Sequence, residues 1–326
     1  MKKKVAVVAG GYSSEYIISL KSAQGVKSFI DSERYEVYIV LITKEKWFIQ
    51  WDKIEIPIDK NDFSFIQDGR KIHFDFAYIT IHGTPGENGF LQGYFDIIGV
   101  PYSSCGVLAS SLTFNKYFCN KFLKSFGVKT ADSVCLQNKN QWDSISVQSL
   151  GFPVFVKPND SGSSFGVTKV TSADQLQTAI TAAFEEGTEV IVERFISGTE
   201  VTCGCYKIKD KATVLPVTEV VSKNEFFDFD AKYNPNSVEE ITPARISRKL
   251  TLKIQKLTSE IYDHIGAKGI IRIDYIISPD NLIYLLEVNT TPGMTVTSFI
   301  PQQINAAGLD IREIFTEIIE NEINRE

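Results

Sequence analysis

Two apolar runs joined by a short turn, GIIRIDYII-SPDN-LIYLLEVN over residues 269–289, constrain the fold more than any other stretch of this chain. Runs so rich in Ile, Leu, Val and Tyr read as adjacent strands of a buried sheet, with Pro279 and Asp280 making the turn between them. Side chains alternate between faces with period two, so Arg272, Asp274, Glu287 and Asn289 share one face. With Ser278 opposite Asn281, the register sets Arg272 across from Glu287 and Asp274 diagonal to it. A strand buried only for stability has no use for such a group, because strongly paired charges are expensive at the end of an apolar strand. Three oxygen-donor side chains at adjacent points suit a hard divalent cation, and Mg²⁺ commonly takes a carboxylate or two plus phosphate oxygens. Arg272 is then left to meet a substrate anion.

A metal that carries phosphates needs further cations nearby. Lys157 ends the run PVFVK just before a Gly/Ser loop, where backbone N–H groups from Gly162 to Ser164 can close over a phosphate. That loop differs from GxxxxGK[ST], so it is not a P-loop. Lys116, on the helical stretch SSLTFNKYFCNKFLKSFGV, is a second candidate; there Phe114, Tyr117, Phe118 and Phe122 form an apolar face. Glu193, on the run VIVER, suits the amino group of an adenine, with Phe195 and Ile196 flanking the ring.

The first 105 residues alternate short apolar strands (VAVVAG, YEVYIVLI, FDFAYITI) with helical periodicity, as in an open α/β sheet. The unusual loops GGYSSE and HGTPGENG sit at strand ends, where ligands of such sheets bind. A second unit over 106–197 and a third over 198–326 follow. The third contains the aromatic-rich stretch NEFFDFDAKYNPNSVEEIT, read as a long mobile loop whose Lys232 needs a phosphate. With 326 residues and 43% hydrophobic content, each unit can bury a core. A net charge of −6 argues against a nucleic-acid partner or an anionic membrane surface. MKKKVAVVAGG resembles the start of a signal peptide, but its apolar run ends too early and reads better as a first strand. No apolar run reaches the ~18 residues of a membrane span, so a soluble protein is expected. Five cysteines without CxxC spacing suggest reduced thiols and a cytoplasmic location, and Cys203 and Cys205 read as core residues. With three histidines and no HExxH, histidine-based metal chemistry is not expected.

In order along the chain, GGYSSEYIISL, HGTPGENGFLQG, FNKYFCNKFL, PVFVKPNDSGSSFGV, VIVERFISGTEVT, FFDFDAKY, GIIRIDYII and LLEVNTTPGMT resemble the motifs of the D-alanine–D-alanine ligase family within the ATP-grasp superfamily. The resemblance implies a three-domain ATP-grasp fold: an N-terminal open α/β substrate domain, a central ATP-grasp subdomain, and a C-terminal one with a lid loop. ATP would lie between the sheets of the second and third units. A D-alanine carboxylate would take its γ-phosphate, and the amine of a second D-alanine would attack the acyl phosphate. By the same resemblance Lys116, Lys157 and Ser164 contact phosphates, Glu193 the adenine and Glu200 the ribose. Asp274, Glu287 and Asn289 hold two Mg²⁺ or Mn²⁺ ions. Glu15 fixes the first ammonium and is linked to Ser163 and Tyr233; Arg272 and the Gly293 N–H stabilise the oxyanion. Ser298, Phe299 and His82 belong to the second-alanine subsite, and a loop-capping role for His82 is the alternative. A homodimer is the family expectation. Departures fall at Asn88, Asp230 and Phe299. Three other readings compete: a D-alanine–D-lactate or D-alanine–D-serine ligase of the same family, a non-catalytic nucleotide-binding ATP-grasp protein, and another carboxylate ligase such as a biotin-dependent carboxylase subunit. Tyr233, in DAKY, favours the dipeptide.

Overall fold

The computed structural model describes residues 2–51, 54–160, 162, 165–209, 211–222 and 238–325. Its first sheet is built on β1 (Lys3–Gly10), whose residues Val5 to Ala9 are wholly buried. A strand apolar on both faces needs cover on both, which parallel crossover helices supply. β1 pairs in parallel with β2 (Tyr35–Ile42) through α1 (Tyr16–Phe29), and on its other side with β7 (Phe76–Ile79). β3 (Trp47–Trp51) and β4 (Ile54–Pro57) extend the β2 edge, and β5 (Phe65–Gln67) and β6 (Arg70–Ile72) form a separate hairpin. Strand order reverses at β1, so a crevice opens beyond the ends of β1 and β7. The two loops singled out in the sequence leave from there. Gly10 has φ +101°, and a Cβ on it would lie 2.6 Å from the Ile42 carbonyl oxygen, so only glycine fits.

After α2 (Phe90–Ile98) the chain forms α3 (Val107–Phe114) and α4 (Lys116–Lys124). This corrects the expectation of one helix with an aromatic face. Asn115 ends the first helix and caps the second, its side chain accepting from the Phe118 N–H at 3.0 Å. The redirected helix buries Cys119, Asn120 and Leu123, and Phe118 is left 56% exposed.

The second sheet runs β10 (Thr168–Val170), β9 (Val154–Pro158), β11 (Val190–Arg194), β8 (Ser133–Leu136), with α5 (Ser144–Gln148) and α6 (Leu176–Glu186) beside it. Val154, Val156, Val190 and Val192 pack with Leu176, Ala179, Ile180 and Ala183 of α6. Period two therefore turns Phe155, Lys157 and Glu193 to the opposite face.

The third sheet follows the same logic. It contains β12 (Thr199–Ile208), β13 (Lys211–Val214), β14 (Thr218–Ser222), β15 (Val238–Ile241), β16 (Ile271–Ile277) and β17 (Ile283–Asn289), in the order β15-β14-β12-β16-β17 with β13 on β12. Val201, Cys203, Cys205, Ile271, Ile273 and Tyr275 share a core with Ile254, Ile261 and Tyr262 of α7 (Arg248–His264). Cys203 and Cys205 are thus core thiols, both fully buried and pushed up to about 12 by that burial. The intervening residues Glu200, Thr202, Arg272 and Asp274 face the other way. α8 (Phe299–Ala306) is pinned to β12 through Gln303, which accepts from the Gly204 N–H at 2.9 Å and donates to the Thr202 carbonyl at 3.1 Å. α9 (Ile311–Ile323) crosses back to the first unit, where Phe315 stacks on Tyr78 with ring centroids 5.1 Å apart.

The β16–β17 register differs from the sequence reading. Arg272 pairs with Asn289, and Asp274 with Glu287. The turn holds three residues rather than two: Ser278 N–H bonds the Leu282 carbonyl, and Asn281 takes a left-handed φ of +62°. That change alone would shift the pairing by one and put Leu286 opposite Asp274. A bulge between Asp274 and Tyr275 shifts it by one more. Two single shifts restore parity, so all four polar residues still share one face.

Candidate active site

Between the second and third sheets lies a cavity of about 490 Å³, lined by Phe155, Lys157, Glu193, Phe195, Ile196 and Glu200 among others. Lys157 and Glu193 form a buried ion pair at 2.5 Å, with side chains 10% and 7% exposed. Asn120 donates to the second oxygen of Glu193 at 3.0 Å. The Phe195 ring lies 5.8 Å from Phe155, and the Lys169 ammonium sits 4.7 Å above it. A slot that sets aromatic and aliphatic side chains beside a paired carboxylate and ammonium suits a flat, amino-bearing ring attached to an anion.

The slot opens onto the polar face of the third sheet. Arg272 grips Asp274 at two points, Nε to Oδ1 at 2.9 Å and Nη2 to Oδ2 at 2.8 Å, while Glu287 is 4.0 Å from Nη2. Thr202 donates to Asp274 Oδ1 at 2.5 Å and Asn289 Nδ2 to Oδ2 at 3.1 Å. Arg272 was expected to stand ready for an anion beside Glu287; its main partner is instead Asp274, because the actual register sets Glu287 across from Asp274 and leaves Asp274, two residues along the same strand face, as the nearer carboxylate. Lys116 is the first residue of α4, a poor place for a cation on dipole grounds. Burial pulls its ammonium below the ordinary range, and Glu287 opposes that shift.

Beyond this polar face the space widens into a cavity of about 1090 Å³, which also touches Lys116, Gly162, Arg272, Glu287 and Phe299. Glu15 occupies the N-cap position of α1, 8% exposed and without a side-chain capping bond; Gly162 lies so near that a Cβ there would be 2.6 Å from its Oε2. Ser298 precedes α8 and accepts from the Thr295 N–H at 3.0 Å. The Phe299 ring lies 5.4 Å from the Arg272 guanidinium carbon, a cation–π contact. Gly293 lines the same cavity. His82 Nε2 meets Ser22 Oγ at 3.2 Å, and the ring also bonds the Thr291 backbone. His82 also lines the larger cavity. Burial lowers its pKa, with Glu15 opposing. Ser163, Ser164, Lys232 and Tyr233 lie outside the described residues.

Sequence reasoning missed three lining or supporting groups. Glu87 accepts from the Gly83 N–H at 2.8 Å, and burial, then the charge of Glu15, raise its carboxyl to about 8. Its position in a Gly-rich loop at a strand end was the available signal. Asn120 is one turn on from Lys116, a spacing that predicts a shared helix face. Glu240 on β15, hydrogen-bonded by Gln302, lines the larger cavity and is raised by burial; the pair of glutamates in VEEI looks like a solvated face and gave no signal.

Among the described residues no group of three or more His, Cys, Asp or Glu is arranged to hold a metal alone. Asp274, Glu287 and the Asn289 amide supply only oxygen donors, a set that fits a hard divalent cation completed by phosphate oxygens.

Two family models match the chain: D-ala D-ala ligase N-terminus over residues 4–105 and D-ala D-ala ligase C-terminus over residues 122–320. A D-alanine–D-alanine ligase of Azobacteroides pseudotrichonymphae is 64% identical over 322 residues, covering 98% of this chain and 99% of the relative. Among solved structures, D-alanyl-alanine synthetase A of Vibrio cholerae superposes with a TM-score of 0.89 at 29% identity, covering 99% of this chain and 98% of the other. The VanG D-Ala:D-Ser ligase of Enterococcus faecalis superposes with a TM-score of 0.86 at 32% identity, covering 99% and 100%.

Proposed function

The chain belongs to the D-alanine–D-alanine ligase family, and from that premise we propose which of its residues carry the reaction. The enzyme uses ATP to join two D-alanines for peptidoglycan precursor synthesis. The γ-phosphoryl group passes to the carboxylate of the first D-alanine, giving an acyl phosphate and ADP. The amine of the second attacks the acyl carbon, phosphate leaves, and a proton is lost. The observation that carries the site reading is the meeting of the two cavities at Lys116, Arg272, Glu287 and Phe299.

In the smaller cavity Glu193 accepts from the adenine amino group, Phe195 and Ile196 flank the ring, and Glu200 meets the ribose. Lys116 and Lys157, with Ser164 and Lys232, neutralise the phosphates. In the larger cavity Glu15 holds the first ammonium, linked to Ser163 and Tyr233. Ser298, Phe299 and His82 bound the second subsite, with His82 acting through its neighbours. Arg272 and the Gly293 N–H face the charge that develops on the acyl oxygen. Asp274, Glu287 and Asn289 would hold two Mg²⁺ or Mn²⁺ ions, which when bound offset the charge of the transferring phosphoryl group.

The domain division 1–105, 106–197 and 198–326 belongs to the same reading. So does a homodimer, which the exposed apolar residues Phe90 and Ile97 of α2 and Leu108 of α3 support. No helix among the described residues is long and apolar enough to cross a membrane, and a cytoplasmic location suits a nucleotide-consuming step.

ATP-dependent phosphate release with D-alanine, L-alanine, D-serine and D-lactate compared side by side tests the reading. Release with D-alanine alone, yielding the dipeptide, is expected. Release that needs D-lactate or D-serine in addition would select the alternative ligases, and none with any substrate the non-catalytic one.

A further inference from the structure

The loop Thr290–Met294, which carries Gly293, is held from the first unit rather than by its own side chains. Thr291 Oγ1 is buried and has no hydrogen-bond partner among the described residues. The hold comes instead from one face of α1. Ser22 Oγ accepts from the Met294 N–H at 3.4 Å and meets His82 Nε2 at 3.2 Å, while the His82 ring bonds the Thr291 backbone. Ser22, His82, Thr291 and Met294 are 1%, 7%, 5% and 3% exposed, so water does not compete for these bonds. One turn further along α1, Gly25 lies against the same residue: a Cβ there would sit 2.0 Å from the Met294 carbonyl oxygen. Glycine inside a helix costs about 1 kcal/mol relative to alanine, and here the loss is matched by a backbone approach that no other residue permits. α1 is itself tied to the end of β1, since Ser19 Oγ accepts from the Gly10 N–H at 2.9 Å.

We propose that Ser22 and Gly25 are positioning residues for the ligation step: together they fix the main chain at Met294 and so aim the adjacent Gly293 N–H at the reacting carbonyl. The inference rests on Gly293 acting as a backbone donor. An oxyanion donor works only when held at the place where charge develops, and small displacements are costly. Ser22 lines neither cavity, and Gly25, which borders the larger one, has no side chain to offer a substrate. Both act through the loop, and they couple the sheet that binds the first amino acid to the loop that serves the acyl centre.

The test uses the full chain carrying Ser22→Ala, Ser22→Thr, Gly25→Ala or, as a control, Ser110→Ala. Ser110 is an equally buried serine whose Oγ donates to the Cys105 carbonyl at 3.1 Å, away from the loop. Ser22→Ala and Gly25→Ala are expected to lower kcat by about 10- to 100-fold, with KM for ATP within about two-fold and the double variant little worse than the poorer single one. Ser22→Thr, which keeps the hydroxyl, should recover most of the loss. Ser110→Ala should lower Tm comparably and leave kcat alone. The proposal is overturned if kcat survives in both Ser22→Ala and Gly25→Ala, or if Ser110→Ala loses as much. Should Ser22→Ala not fold, Gly25→Ala decides by the same criteria. A wild-type chain inactive with D-alanine would refute the ligase reading itself, whereas an active wild type with unaffected variants refutes only the positioning.

Discussion

Arg272 and Asp274, two residues apart on β16, close a two-point ion pair whose carboxylate is only 10% exposed. The pair ties the guanidinium proposed for the oxyanion to a proposed metal ligand, so neither can be altered alone. Arg272→Met is therefore expected to do two things at once. Turnover should fall by the ~2.7 to 4 kcal/mol associated with losing an oxyanion donor, and Tm should fall because Asp274 is left buried without its partner. Adding Asp274→Asn should restore Tm but not turnover. A single variant with near-normal turnover would remove Arg272 from the chemistry.

Glu287 faces Asp274 across the strand pair and lines both cavities. Glu287→Gln keeps the shape and removes the charge, so phosphate release should drop about 10²-fold or more. The divalent-ion concentration for half-maximal rate should also rise. Folded protein with ordinary turnover and ordinary Mg²⁺ dependence would rule out the metal assignment.

Lys157 and Glu193 are a closed pair whose members depend on each other. Lys157→Met strands a buried carboxylate, a change that typically costs about 3 to 5 kcal/mol, and should also weaken ATP binding. Lys157→Met combined with Glu193→Gln should recover much of the stability without recovering ATP affinity. Calorimetry with a non-hydrolysable ATP analogue separates the two effects; full ATP affinity in the double variant would show the pair to be purely structural.

Glu87 gives a pH signature in the ligand-free protein. Its carboxyl is raised to about 8 by burial and by Glu15, so the folded state keeps a proton that the unfolded state loses near the ordinary value of 4.5. The stabilising contribution is present below 4.5 and is lost as pH rises toward 8, at up to about 1.4 kcal/mol per pH unit. Glu87→Gln should flatten the decline of Tm between those values. An unchanged slope would mean that Glu87 is ionised in the folded protein.

Much of this site was legible because period two is hard to disguise. Arg272, Asp274, Glu287 and Asn289 were read onto one face although the register was wrong by two, since an even error preserves the face. Neither the left-handed Asn281 nor the bulge carries a glycine to announce it, so the pairing itself was hidden. The helix break at Asn115 was written as a capping residue inside an apolar pattern, and the pattern won. Glu87 and Glu240 escaped because a carboxylate earns notice in sequence only when something apolar surrounds it, and their surroundings come from distant strands. The periodicity of Ile311, Ile314, Phe315, Ile318 and Ile319 announced a buried helix face, but a helical pattern does not say which surface it will cover.

That surface belongs to the first sheet, and this bears on how the chain comes off the ribosome. Phe315, Ile318 and Ile319 share one core with Val5, Val7, Phe76 and Tyr78. These residues of the first sheet thus wait for a helix made about 240 or more residues after them, with part of their apolar face uncovered until it arrives. Pairings of such long sequence separation are slow to form and open to aggregation meanwhile. A nascent chain stalled before residue 311 should lean on chaperones, and quality control would meet its vulnerable state at the first sheet rather than at the catalytic cleft.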